Sequence, residues 1–100
     1  MTHYMLLYTG PPPADPTHEG WPEWFASIGD ALVDVGSPMR NGFALHADGA
    51  TSEATNRPLG FSLVQADDRT HALELLRDHP LWREGGEYAI DLFELPKLKR

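Results

Sequence analysis

His79 is the residue whose type and position best suit chemistry. It lies in the segment Asp68–Trp82, at the last turn of a predicted helix that Pro80 ends. Helical spacing places His79 on the same inner face as Ala72 and Leu75. Because the pKa of histidine is close to neutrality, a histidine beside a pocket can act as a general acid or base. The alternative is a structural histidine whose ring bonds a free carbonyl and fills space.

Four aromatic residues and one carboxylate are candidates for binding a substrate near this histidine. Trp24 and Trp82 can form the walls of an aromatic pocket, and Tyr4 and Tyr8 can offer a hydroxyl to a ligand. Plain packing in the core, or in a dimer interface for the tyrosines, explains the same residues. Asp91 interrupts an apolar strand, where a carboxylate is exposed, at an edge or paired. If it faces the pocket, it can orient the histidine or a tyrosine.

The sequence predicts no metal and no cofactor. His71 and His79 are eight residues apart, which separates them by roughly 12 Å along a helix and is too far for one metal ion. No HxH or HxxxH spacing and no glycine-rich phosphate loop is present. The chain has no cysteine, which excludes disulfides, thiolate nucleophiles and cysteine-based metal sites.

Composition limits the class of protein further. The 100 residues suit one domain, residues 1–100, with a single core. A net charge of −7, with only a short basic tail at Lys97, Lys99 and Arg100, argues against nucleic acid as a partner. No apolar run approaches the roughly 18 residues of a membrane span, and the N-terminus lacks the features of a signal peptide. We therefore expect a cytoplasmic protein that binds neither nucleic acid nor membrane.

Six segments must position the candidate residues. The sequence predicts strands over His3–Thr9, Ser37–Ala47, Pro58–Ala66 and Glu87–Leu95, one helix over Trp21–Val35 that ends at Gly36, and a second helix capped by Asp67 or Asp68. Asp48-Gly49 indicates a hairpin turn, and Ala50–Asn56 is a weak strand or loop. The order β-α-β-β-α-β predicts an α+β, ferredoxin-like fold with an antiparallel sheet.

The first strand also predicts a partner. Met5 and Leu7 alternate with Tyr4, Leu6 and Tyr8, so both faces of this strand are apolar. Two helices cover only one face of a sheet, and the other face therefore needs a second cover. The simplest cover is the sheet of an identical subunit, which predicts a homodimer.

Five stretches of the chain, in this order, resemble the YCII-related family of small dimeric α/β-barrel proteins. They are Tyr4-Met5-Leu6-Leu7-Tyr8, Gly29-Asp30-Ala31-Leu32-Val33-Asp34-Val35-Gly36, Leu59-Gly60-Phe61-Ser62-Leu63-Val64-Gln65-Ala66-Asp67, Ala72-Leu73-Glu74-Leu75-Leu76 and His79-Pro80-Leu81. The resemblance implies a ferredoxin-like protomer, a dimer closed sheet to sheet, and a pocket between sheet and helices.

The family also implies a chemistry. Some members use a His–Asp pair, one branch includes dehydrochlorinases of chlorinated aromatic intermediates, and many members have no assigned activity. Where the family has its histidine, early in the first helix, this chain has Trp24, and where it has its aspartate, this chain has His79. The chain is in this respect more similar to short members without an assigned activity.

These observations leave two main hypotheses for function. The first is a cofactor-free lyase or isomerase in which His79 moves a proton and Trp24, Trp82 and a tyrosine shape an apolar pocket. The second is a non-enzymatic, homodimeric ligand-binding or accessory module. A third is an oxygenase or haem-binding relative with the same dimeric barrel.

Overall fold

The structure, a computed structural model, describes residues 1–12, 19–54 and 58–96. In these ranges the elements are β1 (Thr2–Thr9), α1 (Trp21–Ile28), β2 (Leu32–Pro38), β3 (Phe43–Leu45), β4 (Thr51–Glu53), β5 (Pro58–Ala66), α2 (Arg69–Leu75) and β6 (Ala89–Leu95). Short 3-10 turns follow α1 at Gly29–Ala31 and α2 at Pro80–Glu84. His18, Asn56 and the basic tail lie outside the described residues. No helix in the described ranges has both the length and the apolar character that crossing a membrane requires.

Four strands form one antiparallel sheet in the order β2-β5-β1-β6. Strands β3 and β4 pair with each other in a separate two-stranded sheet. The prediction of an α+β fold with an antiparallel sheet and two helices is confirmed for the described residues, and the strand order is compatible with a ferredoxin-like fold. Strand β5 has the predicted bounds, and β1 and β6 differ from theirs by one or two residues.

The core lies between the helices and one face of the sheet. Side chains alternate along a strand, so the even-numbered residues of β1 and β5 share this face. They pack against residues from α1, from α2 and from the segment that follows α2. The buried apolar residues are Tyr4, Leu6, Tyr8, Trp24, Val64, Ala66, Ala72, Leu76 and Leu81.

The other face of the sheet is also apolar. Met5 lies opposite Leu63 on one side and Phe93 on the other, so these three side chains are neighbours. Met5 and Leu63 are half-buried, and Phe93 is 50% exposed. We call this surface, with Leu7, the open face. Its composition agrees with the two apolar faces predicted for β1.

The prediction of one helix over Trp21–Val35 is wrong, because α1 ends at Ile28. Gly29 has φ of +55° and ψ of −122°, a non-helical conformation that glycine adopts readily, and the helix stops there. The spacing of Leu32 and Val35 matches a helix, but these residues belong to β2, in which the β-branched Val33 and Val35 favour a strand. Gly36, predicted to end the helix, lies within β2 instead.

The prediction of a strand over Ser37–Ala47 is also wrong. Strand β2 ends at Pro38, and Asn41, with φ of +58°, separates it from β3. The predicted turn at Asp48-Gly49 is confirmed by the β3–β4 pairing and by a 2.9 Å hydrogen bond from the Gly49 N–H to the carbonyl of His46.

Helix α2 begins as predicted and ends earlier. The carboxylate of Asp68 accepts a 2.8 Å hydrogen bond from the His71 N–H, which caps the helix. The helix ends at Leu75, so the placement of His79 in its last turn is wrong. The residue before a proline is disfavoured in the helical region, and His79 is extended, with φ of −63° and ψ of 134°.

Candidate functional site

His79 stands at the start of the Pro80–Glu84 turn and is 2% exposed. Its Nδ1 accepts a 3.0 Å hydrogen bond from the backbone N–H of Leu81. The ring therefore caps the turn, much as a polar side chain caps the start of a helix. A ring nitrogen that accepts a hydrogen bond carries no proton, so in the neutral ring the proton is on Nε2.

A chain of hydrogen bonds leads from His79 into the sheet. The Nε2 atom lies 3.2 Å from the hydroxyl of Tyr8, which donates to Ser62 Oγ at 2.7 Å. Ser62 in turn donates to the carbonyl of Val35 at 2.8 Å. Because Tyr8 has one hydroxyl proton and gives it to Ser62, His79 is the donor in the first bond. We call His79, Tyr8 and Ser62, with the Val35 carbonyl, the relay.

Aromatic rings surround the imidazole of His79. The ring centroid of Trp24 lies 4.3 Å away, that of Trp21 4.6 Å in an edge arrangement, and that of Tyr8 5.0 Å. Removal from water disfavours the charged ring, and burial lowers the pKa of His79 from 6.5 to about 4. The imidazole is consequently neutral near pH 7, with both nitrogens engaged in hydrogen bonds.

Burial acts on Tyr8 in the opposite direction. It raises the pKa of Tyr8 from 10.0 to about 12, and the hydrogen bond to Ser62 offsets part of this rise. Tyr8 is therefore a neutral phenol across the physiological range. The relay as a whole carries no charge, and its protons all point from the Pro80–Glu84 turn towards β2.

A cavity of about 520 Å³ lies on the helix side of the sheet, beside the relay. Three of its wall residues belong to the relay or bond to it, namely Tyr8, Val35 and Leu81. The other wall residues are mostly apolar and come from α1, the end of β2, the start of β5 and the segment before β6. They are Pro12, Trp21, Phe25, Gly36, Ser37, Pro38, Met39, Arg40, Leu59, Gly60, Phe61, Glu84 and Tyr88.

Of the residues singled out in the sequence, only Tyr8 lines this cavity. Tyr4 is 4% exposed in the core, and Trp24 is buried with its indole N–H donating to the Leu75 carbonyl at 3.1 Å. Trp82 is 42% exposed and donates to the Leu76 carbonyl at 2.7 Å. The structure therefore brings Tyr8, Trp24 and His79 together and leaves Tyr4 and Trp82 outside the cavity wall.

Asp91 lies on the other side of the sheet. It is exposed and pairs with Leu7, whose side chain belongs to the open face. The pleat of β6 thus separates Asp91 from His79, because successive side chains point to opposite faces. A role for Asp91 in orienting His79 or a tyrosine does not fit this geometry.

Sequence reasoning missed two parts of this site. Ser62 is fully buried, and its signal was a single hydroxyl within the apolar strand β5. The wall segment 35–40 was assigned in part to a helix, so its approach to Tyr8 was not foreseen. The second omission traces to the misplaced end of α1, and the first to the 54 residues that separate Ser62 from Tyr8.

A second, more open cavity of about 480 Å³ is lined by Glu19, Gly20, Glu23, Trp24, Ser27, Asp78 and Arg83. Its wall is polar and includes three carboxylates. Within residues 1–12, 19–54 and 58–96, no group of three or more histidine, aspartate or glutamate side chains is arranged to hold a metal ion.

No protein-family model, curated protein or solved structure matches this chain. Its function must therefore be inferred from the two cavities and the side chains around them.

Proposed function

We propose that this protein is a homodimeric module that binds an apolar small molecule in the cavity beside Tyr8. The observation that carries this proposal is the wall itself, which is largely aromatic and aliphatic around about 520 Å³. Pockets for small molecules typically enclose about 300–1,000 Å³ and have such walls. A ligand of this kind is held mainly by the burial of its apolar surface.

Two hydroxyl groups of the wall are already engaged within the protein, which supports an apolar body for the ligand. The Tyr8 hydroxyl is engaged with His79 and Ser62, and the Ser37 hydroxyl donates to the Pro38 carbonyl at 2.9 Å. Among the described residues, no buried side-chain nitrogen or oxygen lacks a hydrogen-bond partner. The interior of the wall therefore makes little demand for polar groups on the ligand.

The homodimer in this proposal uses the open face. Met5, Leu7, Leu63 and Phe93 form a partly exposed apolar surface, and a second copy of the same face would remove it from water. The resemblance to the YCII-related family supports the same arrangement, a dimeric α/β barrel of ferredoxin-like protomers, in the cytoplasm.

A cofactor-free lyase or isomerase is the second candidate function. Tyr8 favours it, because this residue both lines the cavity and bonds to His79. In that function the Tyr8 phenol would exchange a proton with the substrate, with His79 behind it. His79 has a pKa of about 4, and both of its ring nitrogens are engaged in hydrogen bonds, so it offers no free base near pH 7. We therefore favour binding over catalysis.

Titration with N-phenyl-1-naphthylamine, a neutral apolar fluorophore, tests the binding function. We expect a saturable rise in fluorescence with one site per chain. Val35→Trp should abolish it, since Val35 lines the cavity and a larger side chain would fill the space. Val33→Trp is the matched control, because Val33 is 42% exposed on the same strand and is not among the lining residues. The proposal is contradicted if the unmodified protein gives no rise in fluorescence, or if the two variants give equal rises.

A further inference from the structure

Two charged side chains, Arg40 and Glu84, stand among the otherwise mostly apolar lining of the cavity. Both are exposed, and neither makes a hydrogen bond or ion pair with a residue that the structure describes. The hydroxyls of Tyr8 and Ser37, by contrast, are bonded within the protein. Because Arg40 and Glu84 are the charged side chains of the described wall, they are the groups through which this cavity can select a charged substituent.

We infer that the ligand is an apolar, ring-containing monocarboxylate whose carboxylate binds Arg40. This inference rests on the proposed binding function and specifies its ligand. Arginine presents a planar fork of N–H donors that matches a carboxylate with two parallel hydrogen bonds. Its position suits this role, because Arg40 ends an unbroken run of wall residues, 35–40, along one side of the cavity.

The ring of the ligand lies against the aromatic part of the wall. Tyr8 and Trp21 are in edge contact, with ring centroids 4.8 Å apart, and Trp21 lies 6.2 Å from Phe25. Such rings bury a large apolar area and favour a flat, unsaturated partner in offset or edge geometry. An aromatic or fused-ring body thus fits this wall, with its acid group at the exposed Arg40.

Glu84 limits the ligand to one negative charge. It ends the Pro80–Glu84 turn and lines the cavity from a different part of the chain than Arg40. A second carboxylate or a phosphate dianion would meet a like charge there, in a protein whose net charge is already −7. The pair of charges therefore selects a monoanion.

Isothermal titration calorimetry with matched naphthalene compounds tests this ligand class. We expect the unmodified protein to bind 2-naphthoate about threefold more tightly than 2-naphthamide, a difference that one exposed ion pair can supply. Arg40→Gln should remove this preference. Arg77→Gln is the control, since Arg77 is exposed and lies outside the cavity wall, and it should leave the preference unchanged. Glu84→Gln should improve binding of naphthalene-2,6-dicarboxylate and change that of 2-naphthoate little.

The outcomes separate this inference from the function on which it rests. If N-phenyl-1-naphthylamine binds but 2-naphthoate binds no better than its amide, or 2-naphthylmethylamine binds best, the monocarboxylate is overturned and the binding function stands. If the preference for the acid survives in Arg40→Gln, the role of Arg40 is overturned. If N-phenyl-1-naphthylamine fails to bind, both the proposed binding function and the monocarboxylate ligand class are overturned.

Discussion

The Nε2 atom of His79 lies 3.2 Å from the hydroxyl oxygen of Tyr8, and this bond joins the turn after α2 to β1, one of the two inner strands of the sheet. Both residues are buried, at 2% and 3% exposure. His79 is the donor in this bond, because its Nδ1 accepts from the Leu81 N–H and Tyr8 gives its own proton to Ser62. The pair therefore acts as a neutral link that holds two walls of the cavity in register.

Removing the hydroxyl of Tyr8 should destabilise the protein. In Tyr8→Phe, the buried Nε2–H of His79 loses its acceptor, which costs about 1–3 kcal/mol of unfolding free energy. Urea unfolding followed by tryptophan fluorescence measures this change. Tyr88→Phe is the control, because Tyr88 also lines the cavity but lies outside the relay and is only half-buried. Equal losses in the two variants would show that the relay adds no stability.

Lowering the pH should destabilise the protein through the titration of His79. Burial lowers the pKa of folded His79 to about 4, below its ordinary value of 6.5. Between these values the unfolded chain binds a proton that the folded chain does not, so unfolding becomes easier as the pH falls. The full difference of about 2.5 units corresponds to roughly 3 kcal/mol, present above pH 6.5 and lost by pH 4.

The slope of unfolding free energy against pH, measured in urea from pH 7.5 to 4, checks this prediction. His79→Asn keeps an acceptor for the Leu81 N–H but cannot take up a proton, so its slope should be shallower than that of the unmodified protein. His3→Gln, which changes an exposed histidine, should keep the original slope. An unchanged slope in His79→Asn would assign the acid sensitivity to other groups.

The sequence predicted the parts of the fold that depend on local signals. Strand β5 alternates cleanly between Pro58 and Ala66, and Asp68 is an effective cap, so both were placed correctly. The end of α1 was misplaced because the spacing of its apolar residues continues into β2. The positive φ of Gly29 and the pairing of β2 with β5 distinguish the two structures, and neither is visible in the local spacing.

The site was only partly predictable for a similar reason. The chemistry of His79 was visible in the sequence, but its hydrogen bonds depend on Tyr8 and Leu81 and hence on tertiary packing. A sequence does not distinguish a buried histidine whose two ring nitrogens are hydrogen-bonded from an unbonded histidine at the edge of a pocket. The relay through Ser62 spans 54 residues from Tyr8, beyond the reach of local patterns.

Two left-handed glycines should respond very differently to substitution. In Gly36→Ala, the new Cβ would overlap the carbonyl oxygen of Phe61, at a backbone φ of +78°. In Gly29→Ala, where φ is +55°, no atom outside the neighbouring residues lies within 4 Å of the new Cβ. We expect Gly29→Ala to cost about 1–3 kcal/mol from backbone strain alone, because its φ of +55° and ψ of −122° lie outside the regions that L-residues populate. Gly36→Ala should cost more, because β2 must also move away from β5.

Thermal unfolding of the two variants measures this difference. Soluble Gly36→Ala protein with a melting temperature no lower than that of Gly29→Ala would contradict the close approach of β2 to β5. The Gly36 variant should also bind N-phenyl-1-naphthylamine less tightly, because Gly36 and Phe61 both line the cavity.

The open face should determine the oligomeric state. Phe93 is 50% exposed beside Met5, so Phe93→Glu would place a charge within the proposed dimer contact. Leu73→Glu is the matched control, since Leu73 is 52% exposed but belongs to helix α2, on the other side of the sheet. Light scattering at micromolar concentration should give a dimer for the unmodified protein and for Leu73→Glu, and a monomer for Phe93→Glu. If the unmodified protein is a monomer, the proposed dimer is wrong. If the dimer persists in Phe93→Glu and is lost in Leu73→Glu, the dimer contact is not on the open face.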